Sequence, residues 1–480
     1  MSTNQEQRGV DRVNAGDISV KISVFREGEE LGKKQGAYNL VAFLRAWEVY
    51  ESIESGTIEA TFFFEDTAGI SNIFTGSEEI KFVVSGSVIK RTYILRSYNI
   101  NSRQRIKQTT EVFVVNCCSD EFVKNEVTNV FGNSSIIFEN NEASGIVKKL
   151  VTNNSYLGSR KKIFAEETLT KHAFVACNWR PLDTIYWVAN RSVRKKKSGG
   201  DFQNGFTFYE NALGYHFKSL DNMIDLINEQ EPTKKTDFNK GTSRLYEYIY
   251  SPKKTDDGSR DQFKIDTIVF PEERNFLMGL RHGAWTGFSM GIDPVDVTNS
   301  KMGAESPDLP LDKYTYKTTE MWKTMSHLGG KKAVNPIAKV GSDYKTLIDA
   351  PKRMRYAVLP NQNFDVKKNV VQETVSTVSQ FFGGKPESAK NYEALVEMQA
   401  YAWLRQESLK NTQLQISVPG NLDLYAGSGV KVIMPTTQKS GDKIKDDKRF
   451  SGRYMIVTIA HKGTPDTMSS EMLLMKDAIL

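Results

Sequence analysis

The chain is poor in the residues that reactive chemistry depends on. Its 480 residues hold 3 cysteines and 5 histidines. Cys117 and Cys118 are adjacent, which strains any disulfide between them, and Cys177 is left over. An odd count of this kind suits synthesis in a reducing compartment. His172, His216, His282, His327 and His461 are scattered. Only His172 and Cys177 lie close together, and a metal centre would need two more ligands nearby. No window of about eighteen apolar residues occurs, so no transmembrane helix is expected. The first residues, Met1-Ser2-Thr3-Asn4-Gln5-Glu6-Gln7-Arg8, are polar and lack the apolar core of a secretory signal. The expectation is a chain soluble as made, with no metal, no cofactor and no stable membrane association.

Catalytic signatures are missing as well. The pairs Gly32-Lys33, Gly330-Lys331 and Gly384-Lys385 are never followed by Ser or Thr, which argues against a phosphate-binding loop. No His-Glu-x-x-His occurs. Carboxylate pairs such as Glu51/Glu54 and Asp256/Asp257 are common on solvated faces in a chain with 58 acidic residues. Trp179, Trp187, Trp285, Trp322 and Trp403 could serve as sugar platforms, but packing is the better default. The run Arg194-Lys195-Lys196-Lys197-Ser198-Gly199-Gly200 reads as a solvated turn, with a nucleic-acid or protein contact as the sharper alternative. A net charge of +6, from basic and acidic residues well mixed along the chain, leaves no dominant patch. No catalytic, cofactor-binding or metal-binding residue is assigned, and no enzymatic activity is expected.

What is present is an ordinary folded composition, 39% hydrophobic and 25% charged, on a length that predicts two to four domains. Residues 1–16 form a polar arm. Residues 17–119 read mostly as strands: Ile18, Val20, Ile22 and Val24 alternate, and β-branched and aromatic runs follow at 58–64, 80–84, 88–95 and 109–115. Residues 120–198 read as a helical connection, with helices at 121–127 and 141–150 and a third opening at Pro181. Phe206 to Glu210 and Tyr215 to Phe217 form a hairpin turning at Asn211-Ala212-Leu213-Gly214, and Ser219 or Asp221 caps a helical turn after it. Tyr246 to Tyr250 is a further strand. Residues 270–390 have few periodic runs and read as an insertion of long loops. A helix at 391–409 leads into strands in which Leu414, Ile416 and Val418, then Val430, Val432 and Met434, face one way. Pro419-Gly420-Asn421 is a turn, and Gly427 and Gly429 are read as letting the sheet bulge.

These segments resemble the central baseplate hub protein of contractile-tailed bacteriophages, a relative of the tube-like part of type VI secretion spike proteins. The C-terminal match lies at Ile416–Asn421, Ala426-Gly427, Val430–Pro435, Gly452–His461 and Glu471–Lys476. A mid-chain match covers Asn178–Ala189, Phe206–Glu210 and Gly214–Leu220. Weaker ones are Val49–Ile53 and Gly76–Ile80. The resemblance implies a β-rich α+β fold with two related tail-tube-like β-barrels: 17–119 for the first, then 199–269 with 391–480 for the second. Residues 120–198 connect them, and 270–390 interrupt the second. It implies a virion structural protein of the tail baseplate, assembled in the host cytoplasm as a homotrimer. Its ring would adapt the hexameric tail tube to a trimeric spike or tail lysozyme and form part of the genome-ejection channel. Tape-measure and baseplate wedge proteins would be further neighbours, and DNA would be passing cargo only. The alternatives are a tail-associated cell-wall hydrolase hidden in 270–390, or a glycan- or receptor-binding tail module using the tryptophans.

Overall fold

In the computed structural model, the described residues are 15–31, 40–86, 89–130, 137–169, 171–176, 178–195, 205–251, 261–271, 277, 288–292, 315–333, 354–358, 400–436 and 446–479. The chain is β-rich with few helices. The first half contains β1 (Ser19–Arg26), β2 (Glu29–Glu30), β3 (Leu44–Ser52), β4 (Glu59–Asp66), β5 (Glu79–Ser85), β6 (Lys90–Lys107) and β7 (Thr110–Ser119). All pair antiparallel, in the order β2-β1-β5-β6-β7-β4-β3. Their inward residues alternate with outward ones, so Trp47, Phe62, Phe64, Phe82 and Phe113 meet in one core. The rings of Trp47 and Phe62 lie 5.1 and 4.9 Å from that of Phe82. The strand expected at 88–95 is much longer. Its apolar alternation fades where β6 leaves the core, but backbone pairing to β7 carries it on to Lys107.

The connecting region holds α1 (Asp120–Val127), β8 (Ile137–Glu142), α2 (Ala143–Thr152), β9 (Ile163–Ala165), β10 (Lys171–Val175) and α3 (Pro181–Ala189). It is mixed α and β, because three short strands lie between the helices. The hairpin of β11 (Phe206–Asn211) and β12 (Gly214–Ser219) pairs with β9, not with the large sheet. Its aromatic face, Phe206, Phe208, Tyr215 and Phe217, packs on Ile146, Leu150 and Ile185 of α2 and α3. Gly214 has φ +133, and a side chain there would run into the Lys162 backbone. Helix α4 (Leu220–Glu229) follows at once, capped by the Ser219 hydroxyl accepting from the Asn222 N–H at 3.1 Å.

The second half comprises β13 (Tyr246–Tyr250), β14 (Lys264–Ile265) and β15 (Thr267–Val269). Beyond the insertion come helix α6 (400–409), β19 (Thr412–Pro419), β20 (Gly429–Ile433), β21 (Gly452–Gly463) and β22 (Met468–Lys476). β14 pairs with β13 and β15 with β19, so one segment bent at Asp266 serves both ends of this half. Met223, Ile224 and Ile227 of α4 pack into its core with Leu414, Ile416, Val432, Tyr454 and Met472.

The described part of residues 270–390 is more than loop. A sheet of β16 (Phe288–Ile292), β17 (Thr315–Lys317) and β18 (Met354–Val358) forms there, followed in the chain order by α5 (Thr318–Thr324) after β17. Trp322 and Met325 pack on Tyr401 and Leu404 of α6. Strands of three to five residues are too short to leave a periodic signal, which explains the looser expectation. Of the N-terminal arm, residues 1–14 lie outside the described residues.

Among the described residues the two expected barrels are not separate: the strands of both halves join in one 14-stranded sheet. The reason lies in β21. Its first part pairs with β20, its second part pairs with β3 of the first half, and β22 runs along its other side. The change of partner coincides with a β-bulge between Ile456 and Thr458. An extra residue on one strand bends it and re-aims it, which lets one strand belong to two halves. The Val457 carbonyl accepts from the Ile53 N–H at 3.0 Å where the two halves meet. Gly427, expected to sit in a bulge, instead holds φ +81 in the turn before β20, where a side chain would collide with the Tyr209 hydroxyl.

Candidate assembly face and junction

Cross-strand pairing sets which residues share a face. One row runs Val418, Ser470, His461, Val49, Ala60, Cys117, Ser97 across seven strands from β19 to β6. Every member is buried, so the core side passes from one half to the other without a break. His461 belongs to this row. Burial pushes its imidazole down to about 4, and its Nδ1 lies 2.9 Å from Ser470 Oγ, so it is a structural histidine.

Two rows on the opposite side are wetter. They run Ser417, Glu471, Ala460, Tyr50, Glu59, Cys118, Arg96 and Pro419, Ser469, Lys462, Glu48, Thr61, Asn116, Asn99. Small and neutral polar residues dominate. Lys462 stands across from Glu48 and forms an ion pair with Glu471 at 2.5 Å. Three carboxylates against two cations leave the two rows close to neutral.

The halves are locked by buried polar groups that no sequence pattern marks. Glu51 of β3 accepts from the Ala212 N–H of the hairpin turn (2.8 Å) and the Ala426 N–H of the second half (3.2 Å). Glu210 of β11 faces the Ile58 N–H at 3.3 Å and Lys161 at 2.6 Å. Lys161 also holds Glu121 of α1 at 2.6 Å. Burial works against the Lys161 charge, but Glu210 and Glu121 outweigh it and hold its pKa above the ordinary range. The Tyr186 hydroxyl accepts from the Gly56 N–H at 2.8 Å, and Thr207 bonds the Ile53 carbonyl. First half, connection and second half therefore meet at one hydrogen-bonded joint.

Burial pushes the Glu51 carboxyl up to about 7, against the lowering effect of its two backbone donors and Arg91. Folding therefore tightens proton binding, and this group makes stability fall as pH rises from about 4.5 to about 7. The window corresponds to roughly 3 kcal/mol. His172 and His461, both pushed down to about 4, slope the other way between about 4 and 6.5. The Glu51 contribution is isolated by subtracting urea-denaturation curves of Glu51→Gln from those of the wild type. The expected difference declines between pH 5 and 7 and is flat above. A difference independent of pH would refute the assignment.

The residues singled out from sequence lie elsewhere. His172 is buried against Trp187, with ring centroids 6.3 Å apart, while Cys177 lies outside the described residues. Among the described residues no cluster of His, Cys, Asp or Glu could hold a metal ion. The rings of Trp179, Trp187 and Phe174 pack against one another, and Arg191 covers Trp187. Trp322 is stacked on His327, and Trp403 packs on the same cluster. Trp285 and Asp256/Asp257 lie outside the described residues. Glu51 is buried and Glu54 exposed, so the two do not form a dyad. Arg194 is committed to Glu166 and Asp225, each at 2.8 Å, and Lys195 to Glu167 at 3.4 Å; Lys196 and Lys197 lie outside the described residues. Among the described residues no helix is long and apolar enough to cross a membrane.

No protein-family model and no curated protein matches the chain. Solved structures do resemble it. A tail protein from Neisseria meningitidis MC58 is 10% identical with a TM-score of 0.49, over 96% of this chain and 97% of that one. The 43 kDa tail protein of prophage MuSo2 from Shewanella oneidensis is likewise 10% identical with a TM-score of 0.49, over 96% and 100%. The c3393 protein of E. coli, a component of the type VI secretion system, is 10% identical with a TM-score of 0.39, over 90% and 73%.

Proposed function

We propose that the chain is a structural subunit of a contractile phage tail, the central hub of its baseplate. Its role is to form a homotrimeric ring that adapts the tail tube to the spike or tail lysozyme and lines part of the genome path. The carrying observation is the unbroken buried row from Val418 to Ser97, which makes two halves one wall. A subunit that presents two strand-rich halves at a fixed angle can repeat three times around an axis and still offer six similar segments to a hexameric tube. The near-neutral outer rows suit a conduit, because a polyanion passing over them meets no run of unpaired cations. Tape-measure and wedge proteins would contact the same ring, and DNA would pass without being held. The site of action is the virion baseplate, after assembly in the host cytoplasm. The role requires no catalysis.

The mass of the purified chain in solution tests the ring. Light scattering is expected to give three times the 54.2 kDa of one chain. A monomer persisting at tens of micromolar would overturn the proposal.

A further inference from the structure

A small cleft lies between the connecting hairpin and the second half. His216, Lys218, Met223, Gln230, Ser243 and the 425–428 turn line it, and it has room for about one water molecule. His216 is 1% exposed and stacked between Phe164 and Tyr209, at 4.7 and 4.8 Å between centroids.

Its tautomer follows from a neighbour. Asn211 donates from Nδ2 to the Ala426 carbonyl at 3.0 Å, and its Oδ1 accepts from the Leu213 N–H at 2.9 Å. Those two contacts fix which end of the amide is oxygen. His216 Nε2 lies 2.9 Å from that same Oδ1, so Nε2 carries the proton and donates. Burial, with Lys218 beside it, pushes the imidazole well below its ordinary range and keeps it neutral. Nδ1 is then a bare acceptor. It has no partner in the protein, and neither does the buried Ser243 Oγ. A buried acceptor left unmet costs about 1–3 kcal/mol, which favours a donor in the cleft.

We infer that this cleft is a binding site for one ordered water, which donates to His216 Nδ1 and is held by Lys218 and Ser243. The chemistry excludes the other small guests. An anion would face the Nδ1 lone pair, and a cation would face the Lys218 ammonium. Anything larger does not fit. The water would tie β12 to the 241–243 segment beside the second half, adding a polar bridge to the joint built by Glu51 and Glu210.

The test is a crystal structure of the full chain at about 1.5 Å, with a parallel crystal soaked in bromide, and nitrogen-15 spectra of the histidines. The expected result is a single density peak within hydrogen-bond distance of Nδ1, no anomalous bromide signal there, and the Nε2-protonated tautomer. A dry cleft, a bromide peak, or a proton on Nδ1 would each overturn the inference. His216→Phe provides a second reading: it is expected to lose the peak while the hairpin keeps its place, and a peak that survives would show that His216 does not hold the guest.

Discussion

Arg405→Met is expected to destabilise the folded chain by about 3–5 kcal/mol, the range found when one member of a buried ion pair is removed. Arg405 is 0% exposed. Its guanidinium bonds Asp221 at the start of α4, Asp477 near the C-terminus at 3.3 Å, and the Ser326 carbonyl at 2.6 Å. Asp477 also takes the Leu328 N–H at 3.0 Å and His327 Nδ1 at 2.7 Å. Methionine would fill much of the volume but leave two carboxylates buried without a counter-charge. Urea denaturation of the wild type and the variant measures the loss. Adding Asp221→Leu to Arg405→Met is expected to recover part of it, since one of the stranded charges is then gone. A variant within 1 kcal/mol of the wild type would mean that the insertion is not anchored here.

Inserting one alanine after Val457 is expected to do more damage, abolishing folding as one body. The bulge at this residue sets the phase of everything after it in β21. A one-residue shift moves each side chain to the opposite face. Lys462, Thr458 and Ala460 would turn toward the core, and Ile459 and His461 would turn outward. Burying an unpaired lysine alone costs several kcal/mol. The alternative, a bulge enlarged to hold both extra residues, disrupts the pairing with β3 that starts at Thr458 and loosens the two halves. Hydrogen exchange should then show the amides of β3 and β21 losing protection together. Protection equal to that of the wild type would mean that the shared strand does not join the halves.

Much of the local structure was legible in the sequence. Alternation at Ile18 to Val24 and at Leu414 to Val418 gave strands because one face of each is buried. Pro181 and Ser219 marked helix starts because each suits an N-terminal turn with free N–H groups. The joint was not legible. Glu51, Glu210, Lys161 and Arg405 each look like members of a solvated face, and only tertiary contact reveals that their partners lie in distant segments. The sharing of β21 was hidden for a similar reason. A strand that pairs with two halves has the same alternating pattern as one that pairs with a single half, and the bulge adds only one apolar residue to a run that is apolar already. The hairpin at Phe206 was recognised as a hairpin, but its aromatic face could not say whether α2 and α3 or the large sheet would cover it.

The assembly itself provides the most direct measurement. The chain, co-expressed with the tail-tube protein of the same genome, can be imaged by electron microscopy after purification. The expected result is rings of three chains seated on one end of short tubes, with the Val418-to-Ser97 row continuous within each subunit. Bare tubes beside free monomers of this chain would contradict it.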